Sequence, residues 1–504
     1  MTGSLSARPG LAQGLPTVVS QSESAPENSD GATDPGELIE GAEGLPPLRG
    51  EEPSDEFSVD ADAIEVPLAP PTFTAPNDAE VPPPASAEDL EVPQSPLQIR
   101  ISATRRLSLD DALQLALDNN PDIDLARLAV ESAFEAVREA RAEYTPQVDI
   151  PLQYQIDRNS LPLTSSDFLA LSLRASYSFF TGGAREARNR VADANLDIAR
   201  TQLDQTTQVV RLNVAETYYN LQRADAQVQI AEAAVENSEA NLRDTEAQFR
   251  AGIGTRFEVL QAETELATDR QDLLRAQNDQ QLARRLLAEL LNFENPTDAL
   301  AVDEIQPTQA WEKSLEDTIL EAFQKREELE IQRDAFESAR QQAQLALSGR
   351  RPQIDGVVTY DVRNDFNDVS AGVGFVDGYT IGINMTWLIL DGGATEARAK
   401  QADVDALTAI RTFERDRNAI RRDVEDAFLS LNSNREQIEV AKLAVSTAQE
   451  SLRLARLRFQ AGVGTQTDVI NQQTALTEAR ANLADAVIGY NLSIVQLERA
   501  VSNL

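Results

Sequence analysis

Two periodicities divide the chain beyond about residue 100. Val148, Ile150, Leu152, Tyr154 and Ile156 alternate with Asp149, Gln153, Gln155 and Asp157, with Pro151 among them. After a polar turn expected around 159–167, Leu169, Leu171, Leu173, Ala175, Tyr177 and Phe179 fall on one face. Ala170, Ser172, Arg174, Ser176 and Ser178 fall on the other. The pattern returns with Tyr379, Ile381, Ile383, Met385, Trp387 and Ile389 against Thr380, Gly382, Asn384 and Thr386. Alternation over about ten residues predicts strands with one apolar and one polar face.

The second period is seven. Val214, Leu221, Val228, Val235, Leu242 and Phe249 form one series, and Val424, Leu431, Ile438, Val445, Leu452 and Phe459 another. Return series follow at Val259, Leu266 and Leu273, and at Val469, Leu476, Leu483, Tyr490 and Leu497. A sustained heptad is a coiled-coil seam, so each half predicts an antiparallel helix pair. The longer arms, 183–249 and 393–459, would reach about 100 Å at 1.5 Å per residue. Ala224, Ala231 and Ser238, between the seams, predict a second, polar face free to meet water or line a pore.

The pairs turn at a stretch that occurs twice, Phe249–Val259 (FRAGIGTRFEV) and Phe459–Val469 (FQAGVGTQTDV), offset by 210 residues. Gly182-Gly183 and Gly392-Gly393 keep the same offset. Gly252 with Gly254, and Gly462 with Gly464, are expected to end a helix in the left-handed conformation. Thr255 with Glu258, and Thr465 with Asp468, then read as capping boxes. That account needs no function. The other reading is a ring of carboxylates at the end of a tube, attracting cations.

Shorter helices precede each strand pair. Ser108 with Asp111 opens the first, Asn119-Asn120-Pro121 breaks it, and a second runs from about Asp122 to Tyr144. Their counterparts begin at Ser314 and end before Pro352. The expected organisation is an acidic, proline-rich, disordered extension over 1–100 and a first repeat over 101–296. That repeat holds strands within 147–180, a long helix over 183–249, a tip over 249–259 and a return helix to 292. A linker over 297–312 follows, then a second repeat over 313–504, with strands within 353–390, a long helix over 393–459, a tip over 459–469 and a return helix to 502.

Composition narrows the function. A formal charge of −38 excludes nucleic acid as a natural partner. Without cysteine or histidine there is no disulfide, thiolate zinc site or imidazole base. No catalytic set, metal site or cofactor motif is expected, and neither is an enzyme. No stretch approaches the roughly 18 apolar residues of a membrane helix. Two-sided strands suit either a soluble sheet or a membrane barrel, polar inside and apolar outside. Four strands cannot close a barrel, which begins at about eight, so several copies are needed: two give eight strands and three give twelve.

The twofold order of helices, strand hairpin, long helix, Phe-x-Ala-Gly-x-Gly-Thr tip and return helix resembles the TolC family of outer-membrane efflux proteins. Leu107–Leu113 (LSLDDAL), Pro146-Gln-Val148, Thr181-Gly-Gly183 and Leu457–Thr465 (LRFQAGVGT) carry the same resemblance, which covers residues 101–504. It implies a mainly α fold with a membrane β part. In a homotrimer, a 12-stranded outer-membrane β-barrel would continue into a 12-helix periplasmic α-barrel. Such a duct passively carries small molecules or secreted protein from an inner-membrane transporter, in drug efflux or type I secretion. A periplasmic adaptor protein engages its tip.

By position, Phe249, Gly252, Gly254, Thr255, Phe459, Gly462, Gly464 and Thr465 would be the adaptor contacts. Glu258 and Asp468 would line the constriction, with Asn471 where many members carry a second acid. Some members latch the closed tip with a tyrosine and an arginine at the positions of Phe459 and Gly464; neither is present here. Residues 1–14 hold one arginine and no apolar core of signal-peptide length, so an export segment is expected upstream of this start. The competing readings are a periplasmic adaptor and a coiled-coil scaffold. Adaptors, however, usually have one hairpin with flanking β-domains, and a scaffold leaves the strands unexplained.

Overall fold

The computed structural model describes residues 92, 94–101, 103–160, 163–293, 296–366 and 374–503. Of the acidic extension expected over 1–100, all but 92 and 94–100 lies outside the described residues. Pro96–Ile99 forms a single helical turn, α1.

Strand β1 (Ala103–Leu107) leads into α2 (Leu109–Asn119) and α3 (Pro121–Ala142). The Ser108 hydroxyl accepts from the Asp111 N–H, and the Asp111 carboxylate accepts from the Ser108 N–H. This reciprocal cap starts α2. Asn120 ends α2 and caps α3 by accepting from the Asp122 N–H at 2.9 Å. Pro121 takes the first helical position, where its missing N–H costs nothing.

The first alternating run is two strands rather than one, β2 (Gln147–Asp149) and β3 (Leu152–Ser160). Both pair antiparallel with β4 (Leu163–Phe180). Pro151 has no N–H for the ladder, so only its carbonyl, accepting from the Ser172 N–H at 3.0 Å, spans the break. The turn expected around 159–167 is mostly strand, since pairing continues to Ser160 and Leu163; residues 161–162 lie outside the described ones.

The long helix α4 (Ala184–Arg250) and the shorter α5 (Arg256–Leu290) follow. The stretch expected as a plain linker contains β5 (Thr297–Ala301), which pairs parallel with β1. Next come α6 (Leu315–Lys325), α7 (Glu327–Ser348), β6 (Gln353–Asp365), β7 (Phe375–Thr386), α8 (Ala394–Gln460) and α9 (Gln466–Ala500). Helices α4 and α8 have 67 residues each, and α5 and α9 have 35 each. At 1.5 Å per residue these are arms of about 100 Å and about 50 Å. Strand β7 stops at Thr386 although the alternation continues to Ile389. Its partner β6 begins only at Gln353, after Pro352, so later residues have no ladder to join.

The helices lie side by side in a fixed order. Near the tips α4 packs between α5 and α9, with α8 beyond α9; near the sheet it packs between α3 and α7, with α8 beyond α7. Side-chain bonds mark the seams: Arg270–Glu239 joins α5 to α4, Arg223–Asp485 joins α4 to α9, and Asn434–Ser493 joins α8 to α9. The sheet runs β2/β3–β4–β6–β7. Seam residues Val424, Leu431 and Ile438 bury against Tyr490 and Leu497. Val214 and Leu221 bury against α2, β1 and β5.

Of the polar face expected to meet water or line a pore, Ala224 is half-buried, and Ala231 and Ser238 are covered by neighbouring helices. Ala231 packs on Ala276 of α5, and Ser238, Asn241 and Thr245 are all buried. Gln473 of α9 donates to the Ala234 carbonyl, and Thr245 donates to Gln466. Small side chains there let the neighbouring helices approach closely. Among the described residues no helix is long and apolar enough to cross a membrane. The large apolar side chains of the sheet, such as Leu152, Tyr154, Ile381 and Ile383, are exposed.

Candidate functional site: the paired helical tips

Each long arm ends in the same hydrogen-bond pattern. The Gly252 N–H donates to the Phe249 carbonyl at 3.0 Å, and the Ile253 and Gly254 N–H groups share the Gln248 carbonyl at 3.1 Å. In the second copy Gly462 donates to Phe459 at 3.0 Å, while Val463 and Gly464 donate to the Arg458 carbonyl at 2.9 and 3.0 Å. These bonds satisfy carbonyls that a helix end otherwise leaves open. Only the first glycine of each pair is left-handed, with φ of 78° at Gly252 and 73° at Gly462. Gly254 and Gly464 are closely packed rather than left-handed: a Cβ there would lie 3.1 Å from the Phe249 or Phe459 nitrogen, tighter than ordinary contact.

The return helices open with the expected caps. Glu258 Oε2 accepts from the Thr255 N–H at 2.7 Å and the Thr255 hydroxyl at 2.9 Å; the Glu258 N–H donates to Thr255 Oγ1 at 3.2 Å. Asp468 Oδ2 accepts from the Thr465 N–H at 3.0 Å, and the Asp468 N–H donates to Thr465 Oγ1 at 3.2 Å. The Thr465 backbone N–H, helped by its hydroxyl and by the charge of Arg458, holds the Asp468 carboxyl below its ordinary range. Glu258 is half-buried, whereas Asp468 and Asn471 are exposed.

The two tips stand together. Gln460 donates to Asp244 at 3.2 Å and Gln261 to Thr467 at 3.5 Å, while Gln466 is buried against Thr245. The tips are unequal, which the repeat conceals. Phe459 is 5% exposed among Leu452, Val469 and Leu476, whereas Phe249 is 42% exposed. Ile253 and Phe257 are exposed beside Phe249, where the second tip has Val463 and Thr467. The change from Phe257 to Thr467 was the available sequence signal. Among the described residues no acids are grouped to hold a metal ion.

The family model described as outer membrane efflux protein matches residues 112–292 and 318–503, well over half the chain and both tips. The chain belongs to the outer membrane efflux protein family. Within this TolC-type family, outer membrane protein TolC of Vibrio cholerae is 24% identical over 406 residues. That alignment covers 80% of this chain and 92% of that protein. Protein CyaE of Bordetella pertussis is 26% identical over 381 residues, covering 74% and 79%. The crystal structure of the outer membrane protein VceC from Vibrio cholerae superposes with a TM-score of 0.67 at 20% identity, covering 78% of this chain and 96% of that one. The mostly helical fold is thus that of outer-membrane efflux channels, and outer-membrane transport is the family's function.

Proposed function

We propose that three copies of this chain close into one passive outer-membrane exit duct, with twelve strands as a barrel and twelve helices as a periplasmic tube. One observation carries this reading. The sheet is open at β2/β3 and at β7, and the helical layer is open on the same two sides, at α3/α5 and at α8. Unpaired strand edges are aggregation sites unless covered, and an edge-to-edge ring covers all of them while continuing both layers. The exposed apolar side chains of the sheet then face lipid.

In this arrangement the two halves of the chain act as structural repeats. Six tip turns surround one opening, with Glu258, Asp468 and Asn471 at the constriction. A periplasmic adaptor engages the tips and couples the duct to an inner-membrane transporter. The exposed Phe249, Ile253 and Phe257 make the first tip the apolar hold. Cargo is small molecules or secreted protein, selected by the transporter. The deciding measurement is the size and location of the native complex in mild detergent. A trimer in the outer-membrane fraction is expected. A soluble monomer or dimer overturns the duct and returns the chain to a scaffold or adaptor role.

A further inference from the structure

Two arginines among the described residues are more than nine-tenths buried, Arg185 at 6% and Arg499 at 7% exposed. Arg499 meets Glu327 and Glu328. Arg185, in the first turn of α4, pairs with no carboxylate among the described residues. A guanidinium has five donors; one here goes to the Ser178 carbonyl, and Nε has no partner. The group lies against two rings, 5.0 Å from the centre of Tyr144 and 5.3 Å from that of Tyr177. Ring faces offset part of the cost of burying a cation, but a buried charge ordinarily has a counter-ion.

Arg185 lines a cavity of about 410 Å³ at the root of the first long arm, walled also by the turn after α3 and by β2, β4 and β6. The other charged groups of the wall are engaged. Glu143 pairs with Arg188, and Asp355 accepts from the Ser178 hydroxyl. Thr145, Gln147, Ser176 and Gln353 add neutral hydrogen-bonding groups. The repeat does not duplicate this arrangement. At the 210-residue offset the position of Arg185 holds Thr395, whose N–H donates to Asp391 at 2.7 Å.

We infer that this cavity binds a small carboxylate through the Arg185 guanidinium. A planar carboxylate matches the guanidinium fork and brings a single negative charge. Phosphate brings more than one at neutral pH, against the Glu143 and Asp355 carboxylates already in the wall, so like-charge repulsion favours the carboxylate. The hydroxyl and amide groups of the wall serve the remaining polar atoms of the bound molecule. The anion supplies the counter-ion that Arg185 lacks and ties α4 to the sheet where the arm begins. The cavity is built within one copy, so the site does not depend on how many copies close the duct.

The test uses the full chain in mild detergent at constant ionic strength, with carboxyl-labelled acetate as the probe. Binding is read from broadening of the acetate carboxyl carbon resonance, with chloride or inorganic phosphate as competitor. Expected are saturable broadening that chloride leaves in place, weak competition by phosphate, and affinity lower by about tenfold or more in Arg185→Gln. Should that variant fail to fold, Ser176→Leu fills the cavity with Arg185 in place and is expected to lose the binding as well. No saturable broadening with the unchanged chain overturns the site. Binding that survives in the variants overturns Arg185 as its holder, and phosphate that displaces acetate more strongly than acetate itself binds overturns the carboxylate class. A trimer that binds no acetate leaves the duct standing, whereas a monomer that binds it leaves the site standing without the duct.

Discussion

The hydroxyl of Tyr218 donates to Asp303 Oδ2 at 2.8 Å, fastening the end of β5 to the middle of a 67-residue helix. The same hydroxyl contacts the Leu107 carbonyl at 3.1 Å, and Asp303 also accepts from the Leu109 N–H at 2.8 Å. One buried tyrosine therefore ties β1, α2 and β5 to α4. Removing it with Tyr218→Phe leaves a carboxylate oxygen short of a donor. The expected cost is about 1–3 kcal/mol, read as a lower midpoint in urea unfolding followed by far-ultraviolet circular dichroism.

The glycines of a tip should respond differently to substitution. At Gly252 the constraint is φ, so Asn should be tolerated better than Ala, which costs about 1 kcal/mol. At Gly254 the constraint is space against Phe249, so Asn and Ala should both disturb the turn. Limited proteolysis at Arg250 and Arg256 measures this; equal sensitivity of the Asn variants at the two positions would refute the distinction.

Changing Glu258 and Asp468 together to Ala is expected to weaken cation selectivity of the channel in planar bilayers. It should also weaken block by polyvalent cations. If selectivity holds while the first turns of α5 and α9 exchange their amide hydrogens faster, the two acids serve only as caps.

A buried charge network joins the end of α9 to the start of α7. Arg499 contacts Glu327 at 3.5 Å and Glu328 at 3.1 Å, and Arg326 contacts Glu328 at 2.7 Å. Burial works to raise the Glu328 carboxyl, but the hydrogen bond and charge of Arg326 outweigh it and bring it down to about 2. Because the folded value is depressed, this stabilisation is full above the ordinary glutamate range and is lost as pH falls through about 2. Arg499→Met should cost about 3–5 kcal/mol near neutral pH, and stability should then fall less steeply between pH 4 and 2. Acid titration of the unfolding midpoint in both proteins checks the slope.

The long arms were legible because each buries one side, and the strands because their apolar side chains keep to one face; either kind of one-sidedness writes a period into the chain. The caps at Ser108, Thr255 and Thr465 were legible because they are local. What escaped depends on contact at a distance. Five residues of β5 carry no period, and their position rests on Tyr218 and Asp303. The polar face at Ser238 looked open because its cover, α5, is itself polar there, at Asp269. Gly254 and Gly464 looked like conformational glycines, since a close backbone approach leaves the same residue as a positive φ.

Each long helix starts at a left-handed glycine, and the two starts are held unequally. Arg351 packs against Gly182 and donates to its carbonyl at 3.1 Å, whereas nothing lies within 4 Å of where a Cβ would stand on Gly392 or Gly393. A rod about 100 Å long works as a lever: a tilt of one degree at its root moves its far end by about 2 Å, more than enough to break a hydrogen bond. One fulcrum is clamped by an arginine. The other is held from within its own turn, where Asp391 accepts from the Gly393 and Thr395 N–H groups, so the first root is tied to another element and the second only to itself.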